Sequence, residues 1–161
     1  MSLPTFIAVE GAAEDEESFP VSIAWSLSDG SIKQALIQPD EAWEDEEASA
    51  LRVNELDLEF QGYAPTEIIR EMEYDQDDDA YYVAHLHPQE AWMLKLFEAA
   101  DKEIGFQLIE AAELYEDRTS WEDAWRESLD LLGLDATRAE DQVRALLEAH
   151  VQLTGDYPEA E

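Results

Sequence analysis

The sequence predicts an α/β domain built on a mixed five-stranded sheet, a three-stranded antiparallel meander plus two further strands, with helices on both faces. Three observations predict it. Three apolar runs, at 5–11, 19–27 and 31–38, lie close together near the amino terminus, the last two separated by the tight turn Ser28-Asp29-Gly30. Two more short strand-like runs, at 80–86 and 106–109, then alternate with helical stripes, and the chain closes on two further stripes. No repeat or linker divides the 161 residues, which read as one domain, 1–161, with a core over about 5–153 and a tail at 154–161.

In the first run, Thr5-Phe6-Ile7-Ala8-Val9-Glu10-Gly11, β-branched and aromatic residues are bounded by Pro4 and Gly11. No polar residue stands between Phe6 and Val9, so the strand is expected to be buried on both faces. It ends in one carboxylate, Glu10, and ligands of α/β enzymes gather in the crevice at strand ends. An acidic loop, Glu14-Asp15-Glu16-Glu17, follows. The second run has period two, with Phe19, Val21, Ile23, Trp25 and Leu27 on one face and Ser22, Ala24 and Ser26 on the other. The third carries Ile32, Ala35, Leu36 and Ile37 and stops at Pro39.

Residues 41–51, around Trp43, read as a short helix, and 52–63 as loop without a clear period. Pro65 opens a helix with the stripe Ile68, Ile69 and Met72. Asp75, Asp77, Asp78 and Asp79 read as a solvated loop, because the central glycine and closing glutamate of a calcium loop are missing. After the fourth strand, His87-Pro88-Gln89-Glu90 begins a helix with Trp92, Leu96 and Ala99 on one face, flanked by Met93, Phe97 and Ala100. The fifth strand is brief, and a helical turn at 111–115 follows. Thr119 or Ser120 caps a helix bearing Trp121, Trp125, Leu129 and Leu132, which Gly133 ends. The last helix, 136–153, places Ala139, Val143, Leu146, Leu147 and His150 at helical spacing, with His150 expected partly buried at the surface.

Hydrophobic residues make up 45% of the chain, enough for a folded core. No run approaches the roughly 20 residues of a membrane helix, and Met1-Ser2-Leu3-Pro4 lacks the basic start of a secretory signal. The absence of cysteine excludes disulfide and thiolate chemistry and suits a cytoplasmic protein. The net charge of −32 comes from 41 acids against nine Lys and Arg, with lysine only at 33, 95 and 102. Adaptation to high internal salt, mimicry of a nucleic-acid backbone and an acidic surface without special role all account for it. With no Lys and Arg cluster, direct tight binding of nucleic-acid phosphates is not expected; a basic protein is the better partner, and a homodimer is open.

The chain resembles the DEDD-type 3'-to-5' exonucleases, a proofreading-exonuclease family of the ribonuclease H-like superfold. The resemblance rests on Phe6-Ile7-Ala8-Val9-Glu10, where the family has a strand reading Asp-x-Glu, and on Phe19-Pro20-Val21-Ser22-Ile23-Ala24-Trp25, where it has Pro-x-Glu-Ile-Ala. It continues through the Asp29-Gly30 turn, Ile37-Gln38-Pro39 and Trp92-Met93-Leu94-Lys95-Leu96-Phe97 to Thr137-Arg138-Ala139, where the family has His-Arg-Ala. It covers roughly residues 5–150, and implies that the five strands form one ribonuclease H-like sheet.

In that family four carboxylates hold two metal ions, Mg2+ or Mn2+, and a histidine activates water. Two ions about 4 Å apart stabilise the entering and leaving oxygens of a phosphodiester only while enough carboxylates hold them. Carried over position by position, the first Asp falls on Ala8, the Glu on Glu10, the next Asp on Gln89, the His on Thr137 and the last Asp on Gln142. Only Glu10 keeps the family residue. Glu90 and Asp141 each stand one residue from an expected ligand, but one step along a helix turns a side chain by about 100°. The resemblance therefore implies a degenerate site with no cofactor, in a non-catalytic binding or regulatory module. An active exonuclease with a displaced Mg2+ or Mn2+ site at Glu10, Glu90 and Asp141, and an acidic mimic that captures a basic protein, are the alternatives. His85 and His87, flanking Leu86, are strand-end residues close to the expected crevice, and the tryptophans fall on apolar stripes and read as core.

Overall fold

The computed structural model describes residues 4–11, 19–38, 62–75 and 80–155. The acids at 14–17, the helix expected at 41–51, the loop from 52 to 61, the aspartates beyond Asp75 and the tail from 156 lie outside the described residues. Strands β1 (Ile7–Gly11), β2 (Pro20–Ser26) and β3 (Ile32–Leu36) form the antiparallel meander in that order. Ala8 stands opposite Ala24 and Val9 opposite Ile23 across β1 and β2, while Ala24 pairs Gln34 across β2 and β3. Strands β4 (Ala80–Val83) and β5 (Gln107–Glu110) make a parallel pair.

The single five-stranded ribonuclease H-like sheet expected from the sequence is not present. The strands form a three-stranded antiparallel sheet and a separate two-stranded parallel one. The two touch at one parallel bridge, Phe6 to Tyr82, where the Tyr82 N–H donates to the Thr5 carbonyl at 2.9 Å. The physical reason lies in where β4 stops. Residues 80–86 look like one strand, but the ladder ends at Val83, and the chain turns through Ala84 and His85 into helix α2 (Leu86–Ala99), the second of the described helices after α1 (Pro65–Asp75). Pro88 disfavours helical geometry at His87, which keeps extended dihedrals (φ −88°, ψ 132°) inside the first turn of α2. With β4 gone, the N–H of Val9 takes its partner from α2, the side-chain oxygen of Gln89 at 2.8 Å.

Helices α3 (Arg118–Leu132) and α4 (Ala139–Thr154) complete the fold, and helices lie on both faces of the meander. Strand alternation sends Ile7 and Val9 to one face, where Ile68, Ile69 and Met72 of α1 and Met93 and Leu96 of α2 join them. Phe6 and Ala8 point the other way, with Ala24, into a cluster with Trp121 of α3 and Val143 and Leu146 of α4. Every residue of β2 is buried, including the Ser22, Ala24 and Ser26 face, because α4 packs against β1 and β2 there. The small side chains on that face leave room for the helix. Buried Ser26 uses its hydroxyl to accept the Phe6 N–H at 2.9 Å.

Two helix starts differ from expectation. Asp117, rather than Thr119 or Ser120, caps α3, accepting from the Thr119 N–H at 3.0 Å and the Ser120 hydroxyl at 2.8 Å. Helix α4 begins at Ala139, not 136, because Asp135 holds the Thr137 N–H at 2.9 Å in a side-chain-closed turn. Gly133 ends α3 as expected, in the left-handed region at φ 65°, where the Leu134 N–H returns to the Leu129 carbonyl at 2.9 Å. Among the described residues no helix is long and apolar enough to cross a membrane.

Replacing fully buried Leu96 with Ala is expected to cost about 2–5 kcal/mol, against less than about 0.5 kcal/mol for Leu94→Ala on the exposed side of the same helix. Urea unfolding of the two variants measures the difference, and equal costs would contradict the assigned face of α2.

Candidate functional site

The end of β1, the first turn of α2 and the first turn of α4 meet at one place. Gln89 stands at their junction. Its Oε1 accepts the Val9 N–H, and its Nε2 donates to Gln142 Oε1 at 2.9 Å. The backbone N–H can only donate, so it fixes which end of the Gln89 amide faces β1 and leaves the NH2 group for Gln142. Both glutamines are buried, at 5% and 7% exposure.

Glu10 lies beside them with a different task. Arg138, the N-cap residue of α4, makes no side-chain cap, and the first N–H of the helix, on Ala139, donates instead to Glu10 Oε1 at 3.3 Å. A strand carboxylate thus caps a helix more than a hundred residues away, where the helix dipole favours negative charge. The Arg138 guanidinium is 3.8 Å from the same oxygen, with Glu10 buried and Arg138 largely exposed.

The positions singled out from the sequence fall into two groups. Glu10, Gln89 and Gln142 converge through these bonds, and Ala8, fully buried, adjoins Val9 on the α4 side of the sheet. Thr137 is next to Arg138, but its hydroxyl donates back to Asp135 at 2.6 Å. Glu90 is exposed, and Asp141 accepts the Asp135 N–H at 2.9 Å, closing the turn before α4. Among the described residues no three His, Asp or Glu side chains are grouped to hold a metal ion.

The histidines have structural surroundings. His85 is exposed, and its ring stands edge-on to Trp121 and Trp125 at 5.9 and 6.2 Å between centroids. His150 is buried, not at the surface; its Nδ1 lies 2.8 Å from the Tyr115 hydroxyl and its ring meets Phe6 at 6.1 Å. Burial pushes the Tyr115 phenol above its ordinary value. Glu110 ties β5 to the start of α2, accepting from the Leu86 N–H and from Arg118, each at 3.2 Å. Burial raises its pKa, but the Leu86 N–H, Arg118 and His85 outweigh that and hold the carboxyl below its ordinary value.

The sequence did not reveal the amide pair, the cap on α4 or the Glu110 tie. One signal for the first was visible. Gln142 lies between Ala139 and Val143 on the apolar stripe of the last helix, where a polar residue must find a partner.

The chain folds as a mixed α/β domain, and its likeness to solved structures supports an exonuclease-like fold, though without the single five-stranded sheet that the resemblance implied. Among solved structures the chain is similar to E. coli exonuclease I in complex with a dA16 oligonucleotide, with TM-score 0.62 and 8% identity over 93% of this chain and 41% of that one. It is similar to the zinc-bound form of the E. coli ExoI–ssDNA complex, with TM-score 0.58 and 8% identity over 94% and 41%. It is also similar to one chain in the structure of the yeast NOT1 MIF4G domain co-crystallised with CAF1, with TM-score 0.63 and 15% identity over 96% of this chain and 81% of that one. The chain spans about two fifths of the exonuclease I chains, and at these identities the likeness is one of fold. No protein-family model matches the sequence, and no curated protein is similar to it.

Gln89→Leu and Gln142→Leu are each expected to destabilise by about 1–3 kcal/mol, because each leaves a buried polar group unpaired. The double variant should lose less than the sum by about 1 kcal/mol; strict additivity in urea unfolding would show that the amides do not act as a pair.

The lowered pKa of Glu110 sets a second expectation. A carboxyl lowered by folding adds stability at pH above its unfolded value, and that contribution is lost as the pH falls through the folded value. Thermal unfolding between pH 3 and 6 should therefore show a shallower acid-side slope in Glu110→Gln than in the parent.

Proposed function

We propose that this exonuclease-like domain is a non-catalytic binding or regulatory module whose partner is a protein with a basic surface. The observation that carries the reading is the Gln89–Gln142 hydrogen bond. It joins two positions at which the resemblance expects metal-holding carboxylates. Amide oxygens can ligate hard cations but bring no charge, and here one accepts a backbone N–H and the other an amide N–H. Glu10 caps α4, and Ala8 offers no ligand atom. This donor set does not fit a pair of Mg2+ or Mn2+ ions, and no catalytic step is derived through them.

A displaced site gains no support from Glu90, which is exposed, or from Asp141, which closes a turn. Charge and comparison favour a protein partner. A surface of net charge −32 attracts cations and repels phosphates. One similar structure contains two proteins together, the NOT1 MIF4G domain and CAF1, which supports a protein-binding use of this fold.

The test is a titration of Mg2+ and of Mn2+ into the protein with labelled single-stranded DNA. No metal-dependent release of nucleotides is expected from the parent chain. Glu10→Gln should lower stability by about 1 kcal/mol through the weakened cap and leave that null result unchanged. Robust release that Glu10→Gln abolishes would overturn the reading.

A further inference from the structure

On the face of the meander away from α4, β3 and α1 border a mostly apolar cavity of about 370 Å3. That is the small end of ligand pockets, about 300–1,000 Å3, so it suits one side chain or a small molecule and not a helix. Trp25, Ala35 and Ile68 supply its apolar lining, and all three belong to or pack against the core cluster of that face. Tyr63 stands at the border with 54% of its surface exposed. Its backbone is nevertheless pinned to the end of β3, the N–H donating to the Leu36 carbonyl and the carbonyl accepting the Gln38 N–H, each at 2.9 Å. The ring is anchored without being covered.

The polar groups of the lining divide into used and unused ones. Lys33 is used: its Nζ lies 3.0 Å from Glu71 and 2.8 Å from Asp75, and Trp25 gives its indole N–H to the same Asp75 oxygen at 3.1 Å. An anion would therefore meet no spare cation. Two acceptors remain. The carboxylate of Glu67, exposed in the first turn of α1, makes no hydrogen bond or ion pair among the described residues. The helix dipole favours an acid at that position but occupies none of its lone pairs. The second acceptor is on the sheet edge. Leu36 turns its carbonyl outward to Tyr63, so by strand alternation Gln34, two residues back, also turns its N–H and carbonyl away from β2. That carbonyl has no partner among the described residues. With Glu67 and Glu71 against Lys33, the lining carries more acid than base.

We propose that this cavity receives an arginine side chain presented by a basic partner protein. The inference rests on the binding-module reading above and gives that reading a surface and a ligand chemistry. The aliphatic stem of arginine covers the apolar lining, as long cationic side chains do elsewhere. The guanidinium, with five donors and no acceptor, pairs with the Glu67 carboxylate and the Gln34 carbonyl and lies against the ring of Tyr63. A lysine ammonium is a compact point charge that cannot stack as a plane, so it fits these groups less well. A second copy of this chain would bring a further −32 to an acidic surface and is repelled.

The probe is N-acetyl-arginine methylamide, which stands for the residue within a chain, titrated into the isotopically labelled protein and followed by NMR at about 0.15 M salt. Saturable shifts are expected at the Trp25 indole and at the Gln34 and Ile68 amides. The uncharged isostere, capped citrulline, should bind about tenfold more weakly or worse. Glu67→Gln and Tyr63→Ala should each weaken binding several-fold with unchanged circular dichroism, while Asp130→Asn, at an exposed acid of α3, leaves it as in the parent. Shifts spread over the acidic surface, equal binding of capped citrulline, equal loss in Asp130→Asn, or indifference to both cavity substitutions would each overturn the proposal. Tighter binding of free arginine than of the capped residue would assign the cavity to a small molecule and overturn it too. A basic protein captured at another face, with no shifts at the cavity, would remove this site and leave the binding-module reading intact. Metal-dependent nuclease activity would remove that reading itself.

Discussion

The hydrogen bond from the Val9 N–H to Gln89 is the contact on which the arrangement around β1 depends. A buried strand edge cannot leave its amides unpaired, and β1 is buried along its whole length. On one side β2 satisfies it. On the other, β4 reaches β1 only at the Phe6–Tyr82 bridge and then ends. The side chain of Gln89 completes what a longer β4 would have supplied. That one bond fixes the start of α2 against the strand, and through Gln142 it also fixes the start of α4.

The same logic gives Glu10 its place. A carboxylate at 4% exposure needs compensation, and the first turn of α4 offers an unpartnered N–H, the positive end of a helix dipole and the nearby Arg138. Strand, helix and charge stabilise one another there. A buried acid at a strand end is commonly taken as a mark of chemistry, because chemistry needs charge in a protected place. In this chain the acid has structural partners in the first turn of α4, and that is why the pairing of its neighbours, rather than its burial, bears on function.

Much of this was legible in the sequence. Period two in 19–27 marked β2, Pro65 marked the start of α1, and Gly133 marked the end of α3, since each signal is local and has a direct steric cause. The end of β4 was not legible from composition, because residues 80–86 favour a strand throughout. The only hint was Pro88, which bends the backbone at His87 and commits the segment to α2. His150 was expected only partly buried at the surface, whereas its place on the stripe with Val143 and Leu146 buries it against Phe6. The candidate positions could be located from the resemblance, but not their bonds. Gln89 and Gln142 are 53 residues apart, and no pattern along the chain states that one amide finds another.

These bonds also bear on what the crevice can bind. A ligand-ready site keeps polar atoms poised for something absent, whereas here the buried amides and the carboxylate have protein partners. An incoming cation would have to break the Gln89–Gln142 bond, or take Glu10 from the helix it caps, before gaining a ligand. The start of α2, the start of α4 and the end of β1 are thus held together by the same polar atoms that a ligand at this place would need, so the cost of binding there is the loss of contacts that position three elements at once.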